Sequence, residues 1–174
     1  AGSTGGAWRH ARGSVQGCEK NSGQCQDRSR LVVTAGKKFA ILAVADGAGS
    51  LKHSDIGADE AVMAASESAR SELEILESKE GTLSPDSFRT LSGKIFRDAL
   101  VAVTKRAEGE NQKPHSYGST LIVLIAGPDF TACAHIGDGR AGCCLRDGQW
   151  VPLLTPMKGG EANMTLFLTH LRDD

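Results

Sequence analysis

The spacing of apolar residues changes period twice along the chain. Two short apolar runs, Leu31-Val32-Val33-Thr34 and Phe39-Ala40-Ile41-Leu42-Ala43-Val44, flank Ala35-Gly36-Lys37-Lys38, which predicts a β-hairpin. From Ser54-Asp55 onward the spacing lengthens to mostly three or four. Ile56, Val62, Ala65, Ala69, Leu73 and Leu76 then fall on one helical face. Ser84-Pro85 supplies an N-cap and first-turn proline, and Asp86 sits at the positive end of the dipole. The helix they open carries Phe88, Leu91, Ile95, Ala99 and Val103 and fades by Gly109. Beyond the polar stretch 110–115 the pattern reverts to strands at 120–126 and 130–136, around the turn Gly127-Pro128-Asp129. Residues 140–145 and 150–154 read as a further hairpin across Arg146-Asp147-Gly148-Gln149. Strands, two long helices and more strands, joined by hairpins rather than regular βαβ units, predict an α+β domain with antiparallel sheets. Each helix has one apolar face and should lie on a sheet.

Composition narrows the functional classes. The 174 residues suffice for one domain with a sizeable core. Twenty Lys and Arg nearly cancel 21 Asp and Glu, and aromatics make up only 5%, which disfavours nucleic acid and anionic membranes as partners. No run approaches the ~18 apolar residues of a membrane span, and no signal peptide opens the chain. Cys18, Cys25, Cys133, Cys143 and Cys144 are odd in number and lack a disulfide framework; reduced, mostly buried thiols in a cytoplasmic protein are expected. Cys143 and Cys144, adjacent on a strand, point to opposite faces and cannot share an ion. Residues 1–7 read as a flexible lead or cloning remnant and 8–174 as the domain.

The candidate chemistry centres on Leu42-Ala43-Val44-Ala45-Asp46-Gly47-Ala48-Gly49-Ser50. A buried strand holds one carboxylate at its tip, and the glycines let the backbone fold back so that a carbonyl can share a cation with it. Alone, such a segment is also an ordinary turn. The setting recurs: Asp27 follows Gly23-Gln24-Cys25-Gln26, and Asp138 lies in His135-Ile136-Gly137-Asp138-Gly139-Arg140. Carboxylates at strand ends beside glycines suit Mg²⁺ or Mn²⁺, hard ions that prefer oxygen donors.

These segments, together with Ser54-Asp55, Gly57-Ala58, Tyr117-Gly118-Ser119-Thr120, Gly160-Glu161-Ala162-Asn163 and Phe167-Leu168-Thr169, occur in an order that resembles the metal-dependent type 2C protein phosphatases, in a bacterial-looking branch. The resemblance spans residues 8–169. It implies an αββα sandwich, two antiparallel sheets flanked by helices, with a dinuclear Mn²⁺ or Mg²⁺ centre at one end. By that resemblance Asp46 would bridge the two metals and the Gly47 carbonyl would bind one. Asp27 would hold metal-bound water, and Asp138 would be placed for a third, looser ion. The implied activity is hydrolysis of phosphoserine and phosphothreonine by water activated between the metals, without a protein nucleophile. The implied partners are a phosphorylated protein substrate and a cognate kinase.

Three departures accompany the resemblance. The arginine the family usually carries before the Asp27 position is absent, with Lys20 a weak substitute, so the phosphate-binding residue is unknown. Ala48 stands where histidine is frequent. The later Ser-Asp-Gly and Asp-Asn segments, whose carboxylates complete the second metal site, are missing, and the chain ends at Leu171-Arg172-Asp173-Asp174. The expectation is a catalytic domain without its C-terminal part, in which Asp173 or Asp174 is the less favoured substitute ligand. The alternative is a catalytically silent domain of the same fold acting as a binding or regulatory module. His53 and Lys37-Lys38 are expected to be solvated, and His135 to be a hydrogen-bonded core residue.

Overall fold

The computed structural model describes residues 8, 9, 11, 13, 25–157 and 165–171. Its first two strands, β1 (Asp27–Val33) and β2 (Ala40–Asp46), form the expected hairpin. Helices α1 (Ser54–Ser78) and α2 (Pro85–Gly109) follow, then β3 (Leu121–Ala126) and β4 (Thr131–Ile136). A short pair, β5 (Gly142–Cys144) and β6 (Trp150–Pro152), makes a separate two-stranded antiparallel sheet. The main sheet is antiparallel throughout, in the order β1-β2-β3-β4. The architecture is thus α+β with two antiparallel sheets.

Alternation along the strands sorts the two faces of the main sheet. Ile41, Ala43 and Ala45 of β2, with Val123 and Ile125 of β3, are buried beneath the helices. Leu42, Val44 and Asp46 take the opposite face, where Val44 and Asp46 are exposed. Helix α1 lies on the sheet through Ala58, Ala61, Val62, Ala65, Ala69 and Leu73, nearly all small residues that allow close approach. Helix α2 packs along α1, and its Leu91, Ile95, Ala99 and Val103 join the same core. Ser84 caps α2 in a reciprocal pair with Ser87, as the Ser-Pro signal foretold. Both helices lie on one side of the sheet among the described residues.

β1 begins four residues earlier than the apolar run suggests, because its polar side chains have partners on α1. Arg28 reaches Asp55 at 3.8 Å and Asp59 at 3.7 Å, and Arg30 pairs with Glu67. The β5–β6 hairpin is shorter than expected, and its Trp150 is 71% exposed, so little packing extends the ladder. A 3-10 turn, Pro114–Tyr117, begins at the end of the stretch read as merely polar and drives Tyr117 fully into the core. A second such turn, Leu168–His170, buries Leu168. The thiols are less buried than expected: Cys25, Cys133 and Cys143 are half-buried and Cys144 is exposed. Burial still pushes the Cys133 thiol up to about 11. Cys18 lies outside the described residues. No helix among the described residues is long and apolar enough to cross a membrane.

The β1–β2 turn is fastened by two acidic residues on the last turns of α1. The Glu77 carboxylate accepts hydrogen bonds from the Thr34 hydroxyl and from the amides of Gly36 (3.1 Å) and Lys38 (2.8 Å), while Glu74 accepts from Ala35. Lys38 is tied down as well, donating to the Gly81 carbonyl at 2.8 Å, so it is not the solvated tip the sequence suggested. Charge-assisted bonds of this kind contribute more than neutral ones. Glu77→Ala should therefore destabilise the chain by about 2 kcal/mol. That loss corresponds to a fall in melting temperature of about 4–8 °C for a domain of this size. An unchanged thermal melt would show that the cap contributes nothing.

A harsher constraint sits at the start of α1. A Cβ on Gly57 would lie 1.9 Å from the Tyr117 carbonyl oxygen, so the helix and the 3-10 turn touch backbone to backbone. Gly57→Ala should force them apart and cost about 3 kcal/mol, at the upper end for overpacking. Chemical denaturation reads the loss directly, and wild-type stability would contradict the contact.

Candidate metal centre

The three sequence-predicted carboxylates come to one edge of the main sheet. Asp27 opens β1 and Asp46 closes β2, and the two are direct register partners. Partners across an antiparallel ladder project to the same face with Cα atoms about 5 Å apart. That face is the one turned away from the helices, and both residues are exposed on it. β4 ends at the same edge, since Ile136 pairs with Leu121. Asp138 follows two residues later, exposed, with its carboxylate accepting from the Thr165 hydroxyl at 3.2 Å. It lies two strands from β2, which is about 10 Å at ordinary strand spacing. The structure therefore makes a close pair of Asp27 and Asp46 and sets Asp138 to one side. Among the described residues no three His, Cys, Asp or Glu side chains form a ready-made ion site.

Glycine chemistry shapes the backbone beside the pair. The Gly47 amide donates to the Gln26 carbonyl at 3.2 Å, and the residue bridges to Ser119. A Cβ there would come within 2.6 Å of the Ser54 carbonyl oxygen. Ala48 donates to the Gly118 carbonyl at 3.0 Å and His53 to that of Ser116 at 3.1 Å. Loop 47–53 is thus stitched to residues 116–119. Thr120 completes the seam: its amide donates to the Asp46 carbonyl at 2.9 Å, and its hydroxyl accepts from the Asp46 amide at 3.0 Å.

Two opposed carboxylates repel one another across a ladder. A divalent cation held between them reverses the sign of that contribution, and a nearby main-chain carbonyl adds a further hard donor. The all-oxygen donor set of Asp27, Asp46 and the Gly47 carbonyl, beside backbone packed too closely for a Cβ at 47, fits Mn²⁺ or Mg²⁺.

The surrounding charges are arranged differently from a phosphate grip. Arg28, next to Asp27, turns to the helix side, donates to the Cys25 carbonyl at 2.7 Å and faces Asp55 and Asp59. Lys20, Gly23, Gln24, the Gly160-Glu161-Ala162-Asn163 motif, Asp173 and Asp174 lie outside the described residues. His53 is not a solvated loop residue: its ring stacks on Tyr117 at 5.0 Å, and its Nε2 is buried without a hydrogen-bond partner. The Tyr117 hydroxyl donates to Glu110 at 2.5 Å. Burial, reinforced by that bond, pushes its pKa up to about 12. His135 makes the expected hydrogen bond, Nε2 to the Thr155 carbonyl at 2.9 Å, but from a half-buried position rather than the core. A groove of about 510 Å³ between α2 and β4, lined by Phe96, Leu100 and His135, runs beside the sheet away from the Asp27–Asp46 pair.

Sequence reasoning assigned no role to Thr120 or Tyr117. The available signal was the run of small residues Gly118-Ser119-Thr120 directly before an apolar strand, which is what close backbone approach requires.

Comparison with known proteins bears on the family and the fold. The family described as protein phosphatase 2C matches residues 16–172. Serine/threonine-protein phosphatase 3 of Escherichia coli strain K12 is 31% identical over 168 residues, which cover 94% of this chain and 63% of that protein. The crystal structure of serine-threonine phosphatase 2C from Toxoplasma gondii superposes with a TM-score of 0.56 at 21% identity, over 80% of this chain and 48% of that one. The second likeness is one of fold. The chain thus spans less than two thirds of either relative's length. With the family match running through nearly all of its sequence, the chain belongs to the protein phosphatase 2C family.

Proposed function

We propose that the chain carries a divalent-metal centre of a protein serine/threonine phosphatase, with Asp27, Asp46 and the Gly47 carbonyl as the inner donors and Asp138 as an outlying one. The observation that carries this reading is the pairing of Asp27 with Asp46 at a glycine-shaped sheet edge. The E. coli relative, named a serine/threonine-protein phosphatase, supports the reaction class. The substrate is then a phosphoserine or phosphothreonine side chain of another protein, supplied by a cognate kinase.

When bound, Mn²⁺ or Mg²⁺ would supply Lewis acidity, lowering the pKa of water and neutralising phosphoryl charge, with a second ion needing carboxylates beyond those described. The chain's own residues do the rest. Asp27 and Asp46 hold negative charge at the end of a rigid hairpin, where their separation is set by the ladder rather than by side-chain choice. Asp138 lies on the same edge, placed to attract cations and orient water through its carboxylate. None of these residues acts as nucleophile, and the exposed thiol of Cys144 lies on the separate β5–β6 hairpin.

Asp46→Asn tests the assignment with little change in shape. The amide removes the charge that holds a cation against Asp27, so Mn²⁺ affinity should fall by about a hundredfold or more, beyond the 10–100-fold typical of a ligand's outer partners. Isothermal titration and Mn²⁺-dependent aryl-phosphate turnover check it, with circular dichroism to show that the fold survives. Unchanged binding in the folded variant would remove Asp46 from the centre. Absence of Mn²⁺ binding in the parent chain would favour the catalytically silent reading.

A further inference from the structure

Thr120 bonds to the backbone of Asp46 and lies beneath Gly137, one residue before Asp138. It is only 5% exposed. Its amide and its hydroxyl bracket the two backbone groups of Asp46, with bonds of 2.9 and 3.0 Å. An ordinary ladder would supply one strand's backbone at both positions. Here β3 starts one residue later, at Leu121, and a side-chain oxygen replaces the backbone acceptor opposite the Asp46 amide. The other branch of the same side chain lies under the second carboxylate loop. A Cβ on Gly137 would meet the Thr120 methyl at 2.6 Å, and Gly137 takes the left-handed φ of +109° that lets the chain pass over it towards Asp138.

We propose that Thr120 is a positioning residue for the metal centre, its hydroxyl fixing the Asp46 backbone so that the carboxylate faces Asp27. This inference rests on the metal reading above. The physical reason is that Asp46 is the last residue of its strand. A terminal residue frays unless its amide is held, and a carboxylate on a fraying residue loses the pre-organisation that cation binding needs. Threonine meets both demands at once, an oxygen toward Asp46 and a methyl beneath Gly137; valine keeps the shape without the acceptor, and serine keeps the acceptor without the methyl.

The experiment compares Mn²⁺ binding to the parent chain, Thr120→Val and Thr120→Ser, by isothermal titration and by the electron paramagnetic resonance signal of free Mn²⁺, below the melting temperature of each. Thr120→Val should bind Mn²⁺ about ten- to a hundredfold more weakly, the range for an outer partner of a metal ligand. Thr120→Ser should restore the parent affinity even where it melts earlier. Hydrogen exchange at the Asp46 amide should quicken in the valine variant alone. If valine does not fold, Thr120→Ala replaces it with the same expectation. Equal Mn²⁺ affinity in all variants would overturn the positioning role while leaving the centre intact, as would equal losses in Ser and Val. No Mn²⁺ binding by the parent chain would overturn the metal reading and this inference with it.

Discussion

The backbone of residues 46–57 is hydrogen-bonded to that of residues 116–120 and runs so close to it that a side chain at Gly57 would collide with the Tyr117 carbonyl oxygen. This seam ties the loop leaving β2 to the segment entering β3. It places α1 against the 3-10 turn that buries Tyr117, and it sets the height at which Asp46 ends its strand. The candidate centre is a by-product of that closure. Once β2 ends at Asp46 and β1 starts at its register partner, two carboxylates face each other, with the Thr120 hydroxyl holding the Asp46 amide.

The energetics divide accordingly. The core under α1 and α2 is apolar and built from small residues along α1, so stability rests on burial and close helix approach. The exposed face of the sheet carries the candidate carboxylates, and the repulsion of Asp27 and Asp46 is tolerated there because it stays within reach of water. Ion pairs from Arg28 and Arg30 to α1 occupy the opposite face of β1. The same strand thus uses its alternation twice, once to anchor a helix and once to present a carboxylate.

Much of this was legible in the sequence. The helical faces, the Ser84-Pro85 start of α2 and the Gly127-Pro128-Asp129 turn are local signals, and the chain obeys them. The placement of Asp46 and Asp138 beside strand ends followed from apolar runs closed by Asp-Gly, while Asp27 was legible only as lying just before the hairpin. What could not be read was non-local. Asp27-Arg28-Ser29-Arg30 looks like a loop until Asp55, Asp59 and Glu67 supply partners across the packed helix. Tyr117 stacks on His53 and Thr120 bonds to Asp46, each partner over sixty positions away, and His53 was read as solvated for the same reason.

The central claim is that the Asp27–Asp46 pair is the innermost cation site of this domain. Anomalous diffraction at the manganese edge, on crystals grown with Mn²⁺, tests it most directly. The account requires the strongest peak between the carboxylates of Asp27 and Asp46 and within coordination distance of the Gly47 carbonyl, with any weaker peak lying toward Asp138. A dominant peak elsewhere on the molecule, or full-occupancy crystals with no peak at that sheet edge, would contradict it.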